Sequence, residues 1–239
     1  MKIRLDKFLS SAGLGSRRYI ISIIRSKQVK VNGETITSPN YKIDPEKDYI
    51  TYKEIPISYK KFFYYKMYKP IGIITSTKDK DPTIMDLLPK DLLGYKWIFP
   101  AGRLDKDAEG LLILTNDGEL AHRITHPKWK LPKIYEIVID KPLQKEDKST
   151  LEEGVLLKEG KTLPSQVEYF NDTGTTLKIT LYEGRYHLIK RMFRKLGYRV
   201  LKIKRIAIGP ILLEDLKPGE FKLLSPFEIE ALKKALRFG

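Results

Sequence analysis

The chain has 239 residues, 41% of them apolar, enough for one sizeable core and a small accessory unit. It holds no cysteine, which excludes disulfides and thiolate metal sites. It also lacks any run of 18 apolar residues, and its first seven residues lack the apolar stretch of a signal peptide, so a soluble, cytoplasmic protein is expected. The net charge of +15 is concentrated: residues 1–30 carry eight Lys/Arg against one Asp and residues 183–205 nine against one Glu, which together account for the whole excess. That pattern predicts two focused phosphate-facing surfaces and a nucleic-acid partner, not an even lysine coat.

Leu5, Phe8 and Leu9 recur at helical spacing, so the first turns read as an amphipathic helix with Arg4 and Lys7 near its polar side. Gly13 and Gly15 break it. Ser16 is then an N-cap for a second helix reaching about Ser26, with Ile20, Ile21, Ile23 and Ile24 as its apolar stripe. Val29 and Val31 alternate with Lys30 ahead of Asn32-Gly33, a two-residue hairpin signal, and the chain returns as a strand over 34–37. A basic first helix, Ser16-Arg17-Arg18 opening the second, and Val29-Lys30-Val31-Asn32-Gly33 together resemble the S4 RNA-binding domain, here over residues 1–58. The resemblance implies RNA contacts from Arg4, Lys7, Ser16, Arg17, Arg18, Lys30 and Asn32. Taken singly, each cation also fits a solvated helix face, Ser16 a plain cap and Asn32 a plain turn former.

Residues 52–61, with Pro56, Lys60-Lys61 and no sustained period, read as a linker to a second domain over 62–239. Strand patterns fall at 62–67, 72–76, 98–101, 111–115, 134–139, 167–170, 176–181 and 200–203, and helical ones at 83–88, 119–124, 145–153, 187–196 and 226–236. Strands and helices without strict alternation give an α+β fold, with a mixed, largely antiparallel sheet flanked by helices. Tyr64, Tyr65 and Tyr68 belong to the core of that sheet more readily than to a base-stacking platform.

In this second domain Gly102-Arg103-Leu104-Asp105 sets a carboxylate beside a guanidinium in a short loop before an apolar run. Gly110-Leu111-Leu112 and Leu114-Thr115-Asn116-Asp117-Gly118 follow it. The segment resembles the active-site motif of pseudouridine synthases of the RsuA/RluB type, whose members isomerise single uridines in ribosomal RNA. The match continues through Glu183-Gly184-Arg185-Tyr186-His187 to Leu216-Lys217-Pro218-Gly219-Glu220, and is weak only over 141–170. It implies that Asp105 is the catalytic carboxylate, that Lys190 is its counter-ion, and that Tyr135 stacks on the extruded uracil and helps remove the C5 proton. A desolvated carboxylate drifts toward neutrality, which is why a cation is needed beside it. Whether Asp105 attacks the sugar, adds to the pyrimidine ring or abstracts a sugar proton stays open.

The nucleotide must be flipped from its stack, and Arg103 either fills the vacated space or bridges to Asp105. Arg185, His187 and Arg191 read as phosphate contacts, with a solvated helix face as the alternative. Leu188 departs from the family, where glutamine is usual. The resemblance implies no cofactor and no metal. It implies ribosomal RNA or a pre-ribosomal particle as the partner of a monomer without membrane contact. The wording around Tyr186-His187 and Lys190-Arg191-Met192-Phe193 leans toward the small-subunit type; a large-subunit enzyme and a non-catalytic S4-domain assembly factor are the alternatives.

Metal readings fail on their ligands. Asp105-Lys106-Asp107-Ala108-Glu109-Gly110 imitates the opening of a calcium loop, but its twelfth position is Asn116 and not a bidentate Glu. His122 and His126 are four apart, yet residue 123 is Arg where a zinc protease helix needs Glu. Asp107, Glu109 and Asp117 read as loop carboxylates facing water.

Overall fold

A computed structural model describes residues 2–12, 14, 17–57, 62–92 and 98–238, and the side chains of these apart from Ser11. The chain divides into two compact units, residues 1–63 with 88–98, and residues 64–87 with 99–239. No helix among the described residues is long and apolar enough to cross a membrane.

The first unit runs β1 (Ile3–Arg4), α1 (Leu5–Ser11), α2 (Arg17–Arg25), β2 (Val29–Val31), β3 (Glu34–Thr35), β4 (Lys42–Ile43), β5 (Ile50–Tyr52) and β6 (Ile55–Pro56). Leu5, Phe8 and Leu9 from α1 meet Ile20, Ile23 and Ile24 from α2 over Val29, Val31 and Ile50, all buried. Each such aliphatic side chain contributes about 1.5–3 kcal/mol by leaving water. Asn32 and Gly33 turn the β2–β3 hairpin with φ of 51° and 86°, the left-handed pair such a turn demands. Ser16, the expected cap of α2, lies outside the described residues. The expected linker begins as structure: β5 pairs with β2 and turns into β6 through Lys53 and Glu54, at φ 49° and 64°. A left-handed turn made without Gly or Asn leaves no turn signature in the sequence.

The second unit holds β7 (Tyr64–Lys69), β8 (Phe99–Pro100), β9 (Glu109–Thr115), α3 (Gly118–Thr125), β10 (Lys133–Ile139), α4 (Lys145–Glu153), β11 (Leu156–Leu157) and β12 (Gly160–Lys161). Then come β13 (Gln166–Tyr169), β14 (Thr176–Leu181), α5 (Leu188–Lys195), β15 (Val200–Ile208), β16 (Ile211–Leu212), β17 (Phe221–Leu223) and α6 (Pro226–Ala235). Among the described residues the main sheet runs β13-β14-β10-β15-β9-β7-β17, with β8 and β16 attached at β9 and β15. Its pairs are antiparallel except β15 with β9.

Three expectations change here. Residues 72–76 form only a bridge between Ile74 and Thr83, because their polar groups serve a neighbouring loop: Gly72 N–H donates to the Lys106 carbonyl and Thr75 Oγ1 to the Leu104 carbonyl. The strand expected to stop at 203 continues to Ile208. Glu109 and Asp117 do not face water. Glu109 is buried on β9, accepting from Tyr68 Oη and paired with Lys202, and Asp117 is the buried N-cap of α3, accepting from Leu120 N–H and Tyr64 Oη. Apart from the Leu120 N–H, which a local capping pattern supplies, their partners Tyr64, Tyr68 and Lys202 come from strands distant in sequence, which local pattern does not report. Tyr64, Tyr65 and Tyr68 are core residues.

Lys66, fully buried on β7, carries its own neutralisation. Its Nζ lies 2.8 Å from Glu214 and 2.7 Å from Glu228 and donates to the Leu212 carbonyl. Glu228 also closes a capping box with Ser225 at the start of α6, so this one ammonium ties the helix to the sheet.

Candidate active site

Asp105 occupies the loop between β8 and β9, and two glycines bracket that loop for different reasons. Gly102 has φ +98°, a conformation L side chains rarely adopt. Gly110, at φ +108°, sits where β9 pairs with β15; a Cβ there would stand 2.3 Å from the Arg205 carbonyl oxygen. Between them the backbone is clamped, with Thr75 Oγ1 both donating to the Leu104 carbonyl and accepting from Leu104 N–H, and Gly72 N–H donating to Lys106. The motif therefore owes its spacing to one turn, one close strand approach and the side-chain clamp between them.

The loop opens onto a cavity of about 570 Å³ bounded by β10, β14, β15 and the start of α5, within the second unit. Tyr135, Leu181, Leu188 and Ile203 give it an apolar wall continuous with the core. Asp105 is partly exposed, with its Oδ1 3.5 Å from His187 Nε2 and its Oδ2 3.6 Å from Lys190 Nζ. Lys190 is nearer to Asp107, 2.6 Å from both of its oxygens, so it bridges two carboxylates. That pairing also draws the Asp107 carboxyl below its usual range, although Asp107 is an exposed loop acid as expected. His187 has φ 49° at the N-cap of α5 and stacks on Tyr186, ring centroids 3.8 Å apart.

Several sequence-derived site residues have partners within the chain. Arg185 donates to Glu183 at 2.6 Å and to the carbonyls of Gly160 and Lys161, so its fork clamps the β11–β12 hairpin. Arg191 pairs with Glu159 and donates to the Tyr186 carbonyl. Arg103 is exposed and makes no ion pair with Asp105 among the described residues, which removes the salt-bridge reading. In the first unit Arg4 pairs with Asp6, Lys30 with Glu54, and Asn32 binds Asp48 and the Tyr49 N–H. Arg17, Arg18 and Lys7 stand exposed on the two helices. Of the nine cations in 183–205, Arg205 is buried and Arg185, Lys190, Arg191 and Lys202 are paired. The segment is accordingly less of an open phosphate surface than its count suggests.

Sequence reasoning missed three cations around the loop: Lys69, Lys133 and Arg205, all buried. Lys69 Nζ donates to the carbonyls of Pro70 and Ile73, and burial pushes its ammonium down to about 8, partly offset by Asp105 and Asp107. Lys133 and Arg205 line the cavity itself. The available signal was Lys133 two residues before Tyr135, which puts both on one face of a strand; Lys69 and Arg205 carried none.

Comparison with known proteins places the chain in a family. A family model described as RNA pseudouridylate synthase matches residues 64–195, and an S4 domain model matches residues 3–48. The chain is similar to an uncharacterized RNA pseudouridine synthase of Bacillus subtilis, 38% identical over 97% of this chain and 99% of that protein. It is also similar to the ribosomal small subunit pseudouridine synthase A of Haemophilus influenzae (38%, covering 97% and 100%). A third relative is the ribosomal large subunit pseudouridine synthase B of Bacillus subtilis (34%, covering 96% and 95%). Among solved structures, a pseudouridylate synthase crystal structure matches with a TM-score of 0.67 at 35% identity, over 96% of this chain and 99% of that one.

Proposed function

This chain belongs to the RNA pseudouridylate synthase family, and from that premise we propose that it isomerises a uridine of ribosomal RNA to pseudouridine, using residues 62–239 for the reaction and residues 1–58 as an RNA anchor. Asp105 is the essential carboxylate, and the observation that carries this reading is its position at the cavity within 3.5–3.6 Å of two nitrogen groups, His187 and Lys190. A carboxylate so placed, with two nitrogen donors at hand, is the group in the cavity that can act as nucleophile or base. Tyr135, buried along the cavity wall, offers a ring face to an everted base. Lys190 balances Asp105 and Asp107 together, so it steadies the loop as well as the charge. Arg103, exposed beside the loop, is available to fill the space an everted nucleotide leaves. Arg17, Arg18 and Lys7 meet phosphates.

The reaction uses no cofactor or metal in this reading, and the enzyme works as a cytoplasmic monomer. The small-subunit RNA is the favoured substrate, on the sequence around Tyr186-His187 and Lys190-Arg191-Met192-Phe193. Relatives of both subunit types match over nearly the whole chain, so the large-subunit RNA is the second reading. Incubating the purified protein with transcripts of each ribosomal RNA and mapping pseudouridine chemically tests both. One new site in the small-subunit transcript is expected. RNA bound with no pseudouridine in either transcript would instead support a non-catalytic assembly factor.

A further inference from the structure

Two cations of the cavity lack any anion of their own. Lys133 is 7% exposed and Arg205 2%, and neither forms an ion pair among the described residues. Lys133 Nζ donates one hydrogen bond, to the Leu131 carbonyl at 3.2 Å. Arg205 Nε donates to the Leu111 carbonyl at 2.7 Å and Nη1 to the Arg103 carbonyl at 3.4 Å, while the buried Nη2 has no partner. A buried charge without a counter-ion is costly, and a buried donor without an acceptor adds to that cost. Burial pushes the Lys133 ammonium down to about 8, with Arg205 adding repulsion.

The two groups share one face of the sheet with Tyr135. Lys133 and Tyr135 are two residues apart on β10, and Tyr135 is the direct cross-strand partner of Arg205 on β15, with the guanidinium 5.9 Å from the tyrosine ring centre. A ring stacked on Tyr135 would bring its edge within reach of unused cationic donors.

We propose that Lys133 and Arg205 form an oxygen site for the carbonyls of the reacting base and stabilise the negative charge that the base carries midway through the reaction. The inference rests on the isomerase reading above. It holds for each route open to Asp105. If the N1–C1′ bond breaks first, its electron pair leaves with the uracil and is shared by N1, O2 and O4, while C1′ gains a bond to the Asp105 carboxylate or C2′ gives a proton to it. If Asp105 adds to C6 first, the carboxylate oxygen bonds to C6 and the C5–C6 π pair moves onto O4. Either way a carbonyl oxygen of the base becomes more negative than in the bound substrate, so donors aimed there act on the transition state. A phosphate offers the same oxygen chemistry. The base is favoured because an everted nucleotide keeps its phosphates on the RNA strand in solvent, whereas both cations are more than nine-tenths buried beside Tyr135.

The test compares wild type, Lys133→Met and Arg205→Lys in single-turnover reactions on ribosomal RNA transcripts made with uridine or with 5-fluorouridine. Fluorine at C5 stabilises the anionic base by itself. Lys133→Met should cut the rate on uridine about 100-fold, lose clearly less on 5-fluorouridine, leave RNA affinity unchanged and melt no lower than wild type. Arg205→Lys should show the same compensation. Equal losses on the two transcripts, or a Lys133→Met protein that no longer folds, would overturn the proposal. Weakened RNA binding with a salt slope reduced by about one would assign the site to a phosphate and overturn it as well. A wild-type protein that makes no rearranged nucleoside in either transcript would remove the isomerase reading, an outcome distinct from all of these.

Discussion

Lys66 and Lys133 sit on β7 and β10 of the same sheet, almost equally withdrawn from solvent, yet their surroundings are opposite. Around Lys66 two carboxylates and a carbonyl close the ammonium's coordination from within the chain. Around Lys133 there is one carbonyl, a second cation and an open cavity. Burial alone therefore does not separate a structural charge from a functional one; the missing acceptor does. A charge satisfied by its own chain holds elements together, while a charge left wanting is maintained at a cost that binding or catalysis must offset.

The largest effect expected is on the carboxylate that lines the same cavity as Lys133 and Arg205. Asp105→Asn should lower pseudouridine formation by on the order of 10⁴-fold or more, with RNA affinity retained, as read by single-turnover assay and filter binding. Unchanged product would remove Asp105 from the mechanism and leave the cavity side of the comparison without a reaction.

Next comes the structural side. Lys66→Met should destabilise the protein by about 1–3 kcal/mol, because Glu228 loses its cation while half-exposed Glu214 keeps Lys222, whereas Lys133→Met should not destabilise at all. Urea melts of the two variants sharpen the contrast directly, and equal destabilisation would erase it.

The third prediction concerns pH. The Lys133 ammonium is pushed down to about 8 in the folded protein. The unfolded chain, with the ordinary lysine value, therefore binds more protons between about pH 8 and 10, and stability contributed by this residue rises with pH across that window. Below it both states are protonated and the penalty is constant. Wild type should accordingly gain on Lys133→Met by on the order of 2 kcal/mol between pH 7 and 10; a constant gap would mean that Lys133 is not held charged in a dry site. Asp107 works in the opposite sense, drawn below its usual range by Lys190, so its contribution is lost on acidification and leaves this window untouched.

The smallest effect belongs to cations that are exposed and, among the described residues, form no ion pair. Replacing Arg17 and Arg18 together by alanine should leave stability and single-turnover chemistry intact and lower the salt slope of RNA binding by between about 1 and 2. If the slope does not move, the first unit touches RNA elsewhere.

Much of this molecule was legible in its sequence, and particular residues show where legibility ended. Leu5, Phe8 and Leu9 announced α1, Asn32-Gly33 announced its hairpin, and Gly102-Arg103-Leu104-Asp105 announced the cavity loop, because each signal lies within a few residues of its effect. The turn at Lys53 and Glu54 carried no signature, so the β5–β6 hairpin read as linker. Residues 72–76 looked like a strand and instead supply the hydrogen bonds that hold the Asp105 loop. Arg205 went unseen because its strand appeared to end at Ile203, and because nothing local distinguishes a cation turned inward from one in water.

By itself the sequence determined the α+β class and the S4-like beginning and singled out Asp105 as the candidate carboxylate, since periodicity, turn chemistry and a short motif are properties of adjacent residues. The tertiary structure alone decided which basic residues are spent within the chain and which face the cavity. Charge state and reach depend on burial and on partners brought by distant strands: Lys190 shared between Asp105 and Asp107, Arg185 closed on Glu183, Arg205 set opposite Tyr135 with one nitrogen unanswered.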